Sequence, residues 1–435
     1  MALSLPACKT VTPHAITSSK SAAIAKPNII FILSDSVGIT DIHCCGSDHF
    51  TTPHIDALAQ TGTRFEYCYS TSLCGPSRCE ILTGRYPFRT GLINNHSNNA
   101  IDPKREIMMP TVLKTAGYVT GSVGKWGELC LGPAEWGFDE YIAFPGSGYY
   151  WAGRKTRYSA NGQLKKPGPT EYLPETLHRF AVDFITRHKD QPFYLYYSMS
   201  QIHGPIMHTP DSKAGANADQ LYAEKIAYMD KLVGKLVAEL DRLQLREKTL
   251  IIFTSDSGTG HFIKGTSTIE DQTVNGHRGT LLEGGNRVPL VVNWLGTTPA
   301  GEVNHDLTDF SDFFPTLAAI AGAKLPKGVI IDGHSFAAQI KGQKGKPRSW
   351  VYVELDGKAY VRDARYKLNN QGDLFDMSEA PFREIPVPPD TSNVAEIAAH
   401  KHLQKILDQH PAASASPKPS KKNQKKTKHE AAIAP

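Results

Sequence analysis

The string Cys74-Gly75-Pro76-Ser77-Arg78 joins the residue types that an anion-binding nucleophile site needs. Pro76, two residues after the thiol, suits the first turn of a helix. Cys74 is then expected at a helix N-terminus, where unpaired amide groups and the helix dipole favour negative charge. Arg78 lies one turn further on, within reach back toward the sulfur. Most lone cysteines at helix starts are incidental, so the string matters only if other chemistry converges on it. Four further residues qualify. Asp35, Lys125, His203 and Asp256 each follow closely on a short apolar run.

Those runs must position them. Residues 28–33 (NIIFIL), 118–123, 193–199 (FYLYYSM) and 250–253 are β-branched or aromatic segments bounded by Gly, Pro or Ser, which predicts buried strands. Residues 223–245 place Ile226, Met229, Val233, Leu236 and Leu240 on one helical face. Residues 311–321 predict a second helix, with Ser311 as its cap and Gly322 as its stop. Strands alternating with helices imply an α/β fold, a large, mostly parallel sheet sandwiched by helices. Ligands of such sheets sit beyond the carboxyl ends of the strands. One polar residue there is an ordinary loop residue; four together predict a site. After Gly333 the pattern changes. Segments 350–355, 359–362 and 366–369, divided by Asp356-Gly357 and Asp363-Ala364, predict a small C-terminal antiparallel sheet. The expected organisation is a leader or disordered start over 1–26, a main domain over 27–340, a small α+β subdomain over 341–410 and a tail over 411–435.

Composition narrows the class further. With 40% hydrophobic and 21% charged residues, the chain reads as an ordinary globular protein. The formal charge of +5 has a local origin, since residues 411–435 carry six lysines against Glu430 alone. That Lys-rich tail reads as disordered and solvated. It allows weak contact with an acidic partner or surface, but no nucleic acid is required. Seven cysteines imply no disulfide framework. His43-Cys44-Cys45 with His49 and His54 lacks the paired spacing of a zinc site and reads as loop. No run of 18 apolar residues is present, so no membrane span is expected. Residues 1–26 hold no clear signal peptide.

The segment from Cys74 to Arg85 resembles the sulfatase signature C-x-P-S-R-x-x-x-L-T-G-R at every fixed position. The resemblance extends along the chain. It takes in Lys26-Pro27-Asn28 opening into Asp35, Thr52-Pro53-His54-Ile55-Asp56, and Gly124-Lys125-Trp126. It continues through His203-Gly204-Pro205, Thr254-Ser255-Asp256, Glu283-Gly284-Gly285-Asn286-Arg287 and Phe314-Pro315-Thr316-Leu317. It implies an alkaline-phosphatase-like fold and an arylsulfatase-type hydrolase acting on a sulfated small molecule or glycan. In this family the cysteine at the Cys74 position is oxidised by a maturation enzyme to formylglycine. A hydroxyl of the hydrated aldehyde attacks sulfur, the alcohol leaves, and the covalent sulfate is expelled as the aldehyde re-forms. The resemblance implies Ca2+, or Mg2+, bound by Asp35, Ser36, Cys74, Asp256 and Ser257. Arg78, Lys125 and Arg278 are then expected around the sulfate oxygens, with His203 as acid for the leaving oxygen. A periplasmic or secreted location is also implied.

Four positions depart from the family pattern. The usual Asp-Asp is Asp35-Ser36, and the usual Asp-Asn is Asp256-Ser257. A serine hydroxyl ligates without charge, so the ion is expected to be held more weakly. Arg278 stands for the usual lysine, replacing a point charge with a planar fork. Gly127 stands where many relatives have histidine, with Glu128 as a substitute that nothing in the spacing demands. Two rivals therefore stay open, a non-catalytic binding protein and a phosphate or phosphonate ester hydrolase. The aromatic and basic loop 147–166, with Tyr149, Tyr150, Trp151, Arg154, Lys155 and Arg157, is a candidate wall for a sugar ring.

Overall fold

The computed structural model describes residues 26–97, 100–127, 129–153, 156–260 and 267–413. Residues 1–25, expected to be a leader or disordered start, lie outside the described residues, as do Glu128, Arg154, Lys155 and the lysines of the tail.

Ile29, Phe31 and Leu33 pack into one apolar cluster, while Ile30 and Ile32 pack into another. A strand with two dry faces must be apolar throughout, which is why NIIFIL forms an unbroken run. This strand, β1 (Asn28–Ser34), lies at the middle of a ten-stranded sheet. The other members are β2 (Thr63–Tyr69), β3 (Val119–Gly127), β4 (Glu140–Pro145), β5 (Tyr158–Ala160), β6 (Gln163–Lys165), β7 (Phe193–Ser198) and β8 (Thr249–Ser255). A short hairpin of β9 (Thr268–Ile269) and β10 (Gln272–Thr273) precedes β11 (Arg287–Asn293) and β12 (Glu302–Asp309). The sheet order is β12-β2-β11-β8-β1-β7-β3-β4-β5-β6. From β8 to β4 every pair is parallel. β11 runs antiparallel to both its neighbours, and β5 and β6 extend the far edge antiparallel. Helices Cys74–Thr83, Met109–Lys114 and Phe313–Ala321 cover one face. Helices Pro53–Gln60, Leu173–Arg187 and Ala218–Arg242 cover the other.

Three elements differ from their expected bounds. The long helix starts at Ala218, five residues before the apolar stripe makes it visible. Asn217 accepts from the Gln220 N–H and Gln220 reaches back to the Asn217 N–H, a reciprocal cap that lets a polar first turn form. Ser311 is not the cap of the later helix. Asp309 accepts from the Ser311 N–H at 3.0 Å, and a single tight turn, Phe310–Asp312, leads into Phe313–Ala321. Gly322 ends that helix at φ 69°, as expected. Finally, β3 runs on through Lys125, which pairs with Phe144 of β4. Lys125 is therefore held by the sheet itself.

The C-terminal sheet has five strands: β13 (Val351–Leu355), β14 (Lys358–Arg362), β15 (Tyr366–Asn369), β16 (Leu374–Asp376) and β17 (Ile385–Pro386). Asp356 and Gly357, at φ 49° and 84°, close the first hairpin in a two-residue turn. One face of this sheet packs on Tyr69 of β2, the other on helix Val394–Gln409.

Candidate active site

Parallel register pairs Ser34 of β1 with Ser255 of β8, so Asp35 and Asp256 leave the sheet side by side. The Ser36 N–H donates to Asp256 Oδ1 at 3.1 Å, and the Ser36 hydroxyl to Asp35 Oδ1 at 3.0 Å. The Ser257 hydroxyl donates to Asp256 Oδ1 at 3.2 Å. Lys125 Nζ approaches from β3, 2.8 Å from Asp35 Oδ2 and 3.8 Å from Asp256 Oδ2. Arg78 donates through Nη2 and Nε to Asp256 Oδ2 at 2.7 and 3.2 Å, and through Nη1 to the Lys125 carbonyl at 3.1 Å and to Ser198 Oγ. All four charged side chains are buried. Burial alone would raise the Asp35 carboxyl; the charges of Lys125, His203 and Arg78 outweigh it and hold the acid well below the usual range. Burial would equally depress Lys125, but Asp35 and Cys74 keep its ammonium charged.

Cys74 opens a buried helix whose every residue, Arg78 included, is packed away from water. Gly84, at φ 69°, ends it. The thiol meets two side chains: Arg278 Nη2 at 3.6 Å and Asn95 Nδ2 at 3.3 Å. Asn95 also accepts from the Gly75 N–H at 3.0 Å, so one side-chain amide caps the helix and contacts the sulfur. Arg278 rides on a strap pinned by its own N–H to the Thr259 carbonyl and by the Gly279 N–H to the Ser72 carbonyl. Despite burial, Cys74, Asp256 and Asp35 raise the Arg278 pKa. His203 Nδ1 lies 2.7 Å from the Gly204 carbonyl, which makes Nδ1 the protonated nitrogen, and its ring is close enough to Asp35 to stabilise that carboxylate.

The fold thus brings together Asp35, Ser36, Arg78, Lys125, Asp256 and Ser257 in one hydrogen-bonded network, with Cys74, Arg278 and His203 around it. Sequence reasoning missed Asn95 and the support beneath His203. Lys225, buried on helix Ala218–Arg242, donates to the His203 and Pro205 carbonyls at 3.3 and 3.2 Å and sits 3.4 Å from the Tyr150 ring centroid. Burial lowers its pKa to about 7. Tyr150 is buried too, and its hydroxyl donates to the Ser200 and His203 carbonyls. Trp151 lies against Tyr172 and His208. Tyr150 of the 147–166 loop thus braces the His203 turn, while Trp151 holds the segment at His208. Little in the sequence links Lys225 to His203, since the contact is made by backbone carbonyls that carry no residue signature.

A hard divalent cation prefers oxygen donors. Asp35, Ser36, Asp256 and Ser257 offer only oxygens, so they fit such an ion in kind. They supply two negative charges, and among the described residues no three acids, histidines or cysteines converge as a ready-made metal cluster.

Residues 27–323 match the family model described as Sulfatase. Dog N-acetylgalactosamine-6-sulfatase is 30% identical over 78% of this chain and 71% of its own length. Human arylsulfatase A is 32% identical over 79% of this chain and 75% of its own. The crystal structure of Ps i-CgsB in complex with k-i-k-neocarrahexaose superposes with a TM-score of 0.76 at 27% identity, covering 94% of this chain and 98% of that one. A phosphonate monoester hydrolase of Agrobacterium radiobacter shares the fold at a TM-score of 0.66 and 20% identity, so fold alone does not choose the ester. The family model and the identities to curated sulfatases do choose: the chain belongs to the sulfatase family, the sulfuric ester hydrolases.

Proposed function

We propose that the protein hydrolyses sulfate esters of carbohydrates at a formylglycine made from Cys74. Calcium, or magnesium, would be held by Asp35, Ser36, Asp256 and Ser257 together with the oxygen that replaces the thiol. The observation that carries this reading is the placement of Cys74 at a buried helix start, 3.6 Å from Arg278, beside the Asp35–Lys125–Asp256–Arg78 network. When bound, the ion lowers the pKa of the nucleophile and offsets charge on the transferring sulfate. Lys125 and Arg278 stabilise the sulfate oxygens as charge moves onto them. Arg78 has its donors on Asp256, Ser198 and the Lys125 carbonyl, and acts by fixing that carboxylate. His203, with Nδ1 on the Gly204 carbonyl, uses Nε2 to protonate the leaving oxygen. The carbohydrate preference draws on the N-acetylgalactosamine-6-sulfatases and on the neocarrahexaose complex among the similar proteins.

Co-expression with a formylglycine-generating enzyme, followed by mass spectrometry of the tryptic peptide spanning Cys74, tests the nucleophile. An aldehyde in that peptide, with sulfate release from a sulfated sugar that Cys74→Ala abolishes, is the expected result. Undiminished release by Cys74→Ala would sink the reading.

A further inference from the structure

A cavity of about 360 Å³ lies between the Arg278 strap and the C-terminal sheet. Leu281 and Leu282 of the strap line it, with Leu355, Lys358, Gln371 and Phe375 of the small sheet. Its volume falls within the roughly 300–1,000 Å³ usual for small-ligand sites.

Both walls lead straight back to the sulfur. The strap's cavity wall begins at Gly279, one residue after Arg278, whose guanidinium meets Cys74 at 3.6 Å. The β13–β14 turn is tied by Asp356 Oδ1 to Asn94 Nδ2 at 2.9 Å, and the next residue, Asn95, meets Cys74 at 3.3 Å. The two segments that wall the cavity are thus the same two that hold the side chains touching Cys74. The charge of the cavity is also defined. Lys367 is buried and neutralised by Glu384 at 2.7 Å, while its ammonium also donates to the Leu281 carbonyl at 2.6 Å. Lys358, exposed at the start of β14, has no acidic partner among the described residues. One uncompensated cation thus stands over leucine and phenylalanine side chains.

We propose that this cavity is a subsite for the sugar unit next to the one that carries the scissile sulfate, and that it selects an anionic unit through Lys358. The apolar floor takes the carbon-bound hydrogens of the ring, Gln371 offers an amide to its hydroxyls, and Lys358 pairs with its sulfate or carboxylate. The substrate is then an anionic oligosaccharide, in preference to a single sulfated ring. This inference rests on Cys74 as the reacting centre.

The test separates the two ideas by measuring binding as well as turnover. Two probes distinguish the anion: a carrageenan-type hexasaccharide with sulfated neighbours, and a chondroitin-sulfate hexasaccharide with carboxylate neighbours. Calorimetry on the unreactive Cys74→Ser protein, with and without Lys358→Ala, is expected to show at least one probe bound, and bound about ten-fold more weakly without the lysine. In the matured enzyme the ratio of kcat/KM for that hexasaccharide to kcat/KM for a sulfated monosaccharide is expected to fall about ten-fold in Lys358→Ala, chiefly through KM. Lys358→Arg should restore most of it. Binding that depends on Lys358 in a protein that releases no sulfate would support the subsite and refute the nucleophile. Hydrolysis of the monosaccharide with neither hexasaccharide bound, or with binding indifferent to Lys358, would overturn the subsite and leave the nucleophile standing.

Discussion

At the level of single residues, the site combines groups that announce themselves with groups that do not. Asp35 and Asp256 were legible because each ends an apolar strand, and Arg78 and Arg278 because they stand in family motifs. Asn95 was not, because a contact made from a loop 21 residues away leaves no periodic mark. Its amide ties the helix start to the Cys74 sulfur, so under the proposed function Asn95→Ala is expected to lower kcat/KM about ten-fold, the cost of one hydrogen bond. Steady-state kinetics on the matured variant checks this. Ser36 carries a different consequence. It sits at φ 63°, a left-handed conformation that aspartate accepts more readily than serine. Ser36→Asp is therefore expected to add a carboxylate where the backbone already suits it, and to tighten calcium binding about ten-fold or more, as read by calorimetry. An unchanged affinity would mean that the ion is not held at Asp35. Lys225 gives a pH signature. Its folded pKa, about 7, lies below the ordinary lysine value of 10.5, so the unfolded chain binds the extra proton between those limits. Stability from this group therefore rises with pH from about 7 toward 10 and is flat below. Lys225→Met should flatten that rise in a series of thermal melts.

At the level of elements, the small C-terminal sheet does more than append to the large one. Arg362 of β14 donates to Glu283 at 2.8 Å, and Tyr360 to Asn286 Oδ1 at 3.3 Å, just where the Arg278 strap ends. Glu283 is buried, and its pKa is held down against burial by Arg362, Arg287 and Lys367. Arg362→Met strands that carboxylate without its nearest partner and is expected to cost roughly 3–5 kcal/mol in a denaturant titration. The strap should loosen with it, so activity should fall more steeply than the folded fraction. The sheet's first hairpin was readable from Asp356-Gly357, since only a residue tolerant of positive φ suits such a turn. Its last two strands were not, because three-residue and two-residue strands fall below any repeat of alternation. The Ser311 cap failed for a related reason. Asp309 and Ser311 are both good capping residues two positions apart, and only packing of Phe310 into the core decides between them.

At the level of the whole molecule, charge is divided between two zones. Outside residues 411–435 the formal charge is close to zero, since the tail alone holds a surplus of five. Removal of residues 414–435 is expected to leave sulfate release within about two-fold of the full chain, because no described catalytic group lies there. A larger loss would tie the tail to catalysis. Within the body, the strong charges that meet at the sheet's rim are enclosed. Arg78 and Lys125 are essentially inaccessible, each locked to a carboxylate. Dissolved ions screen exposed charges over roughly 10 Å at 0.1 M but penetrate little into packed protein. The chemistry should therefore proceed with much the same kcat in fresh water or brine. Capture of the substrate, which begins at Lys358 at the exposed start of β14, should weaken steadily as salt is added.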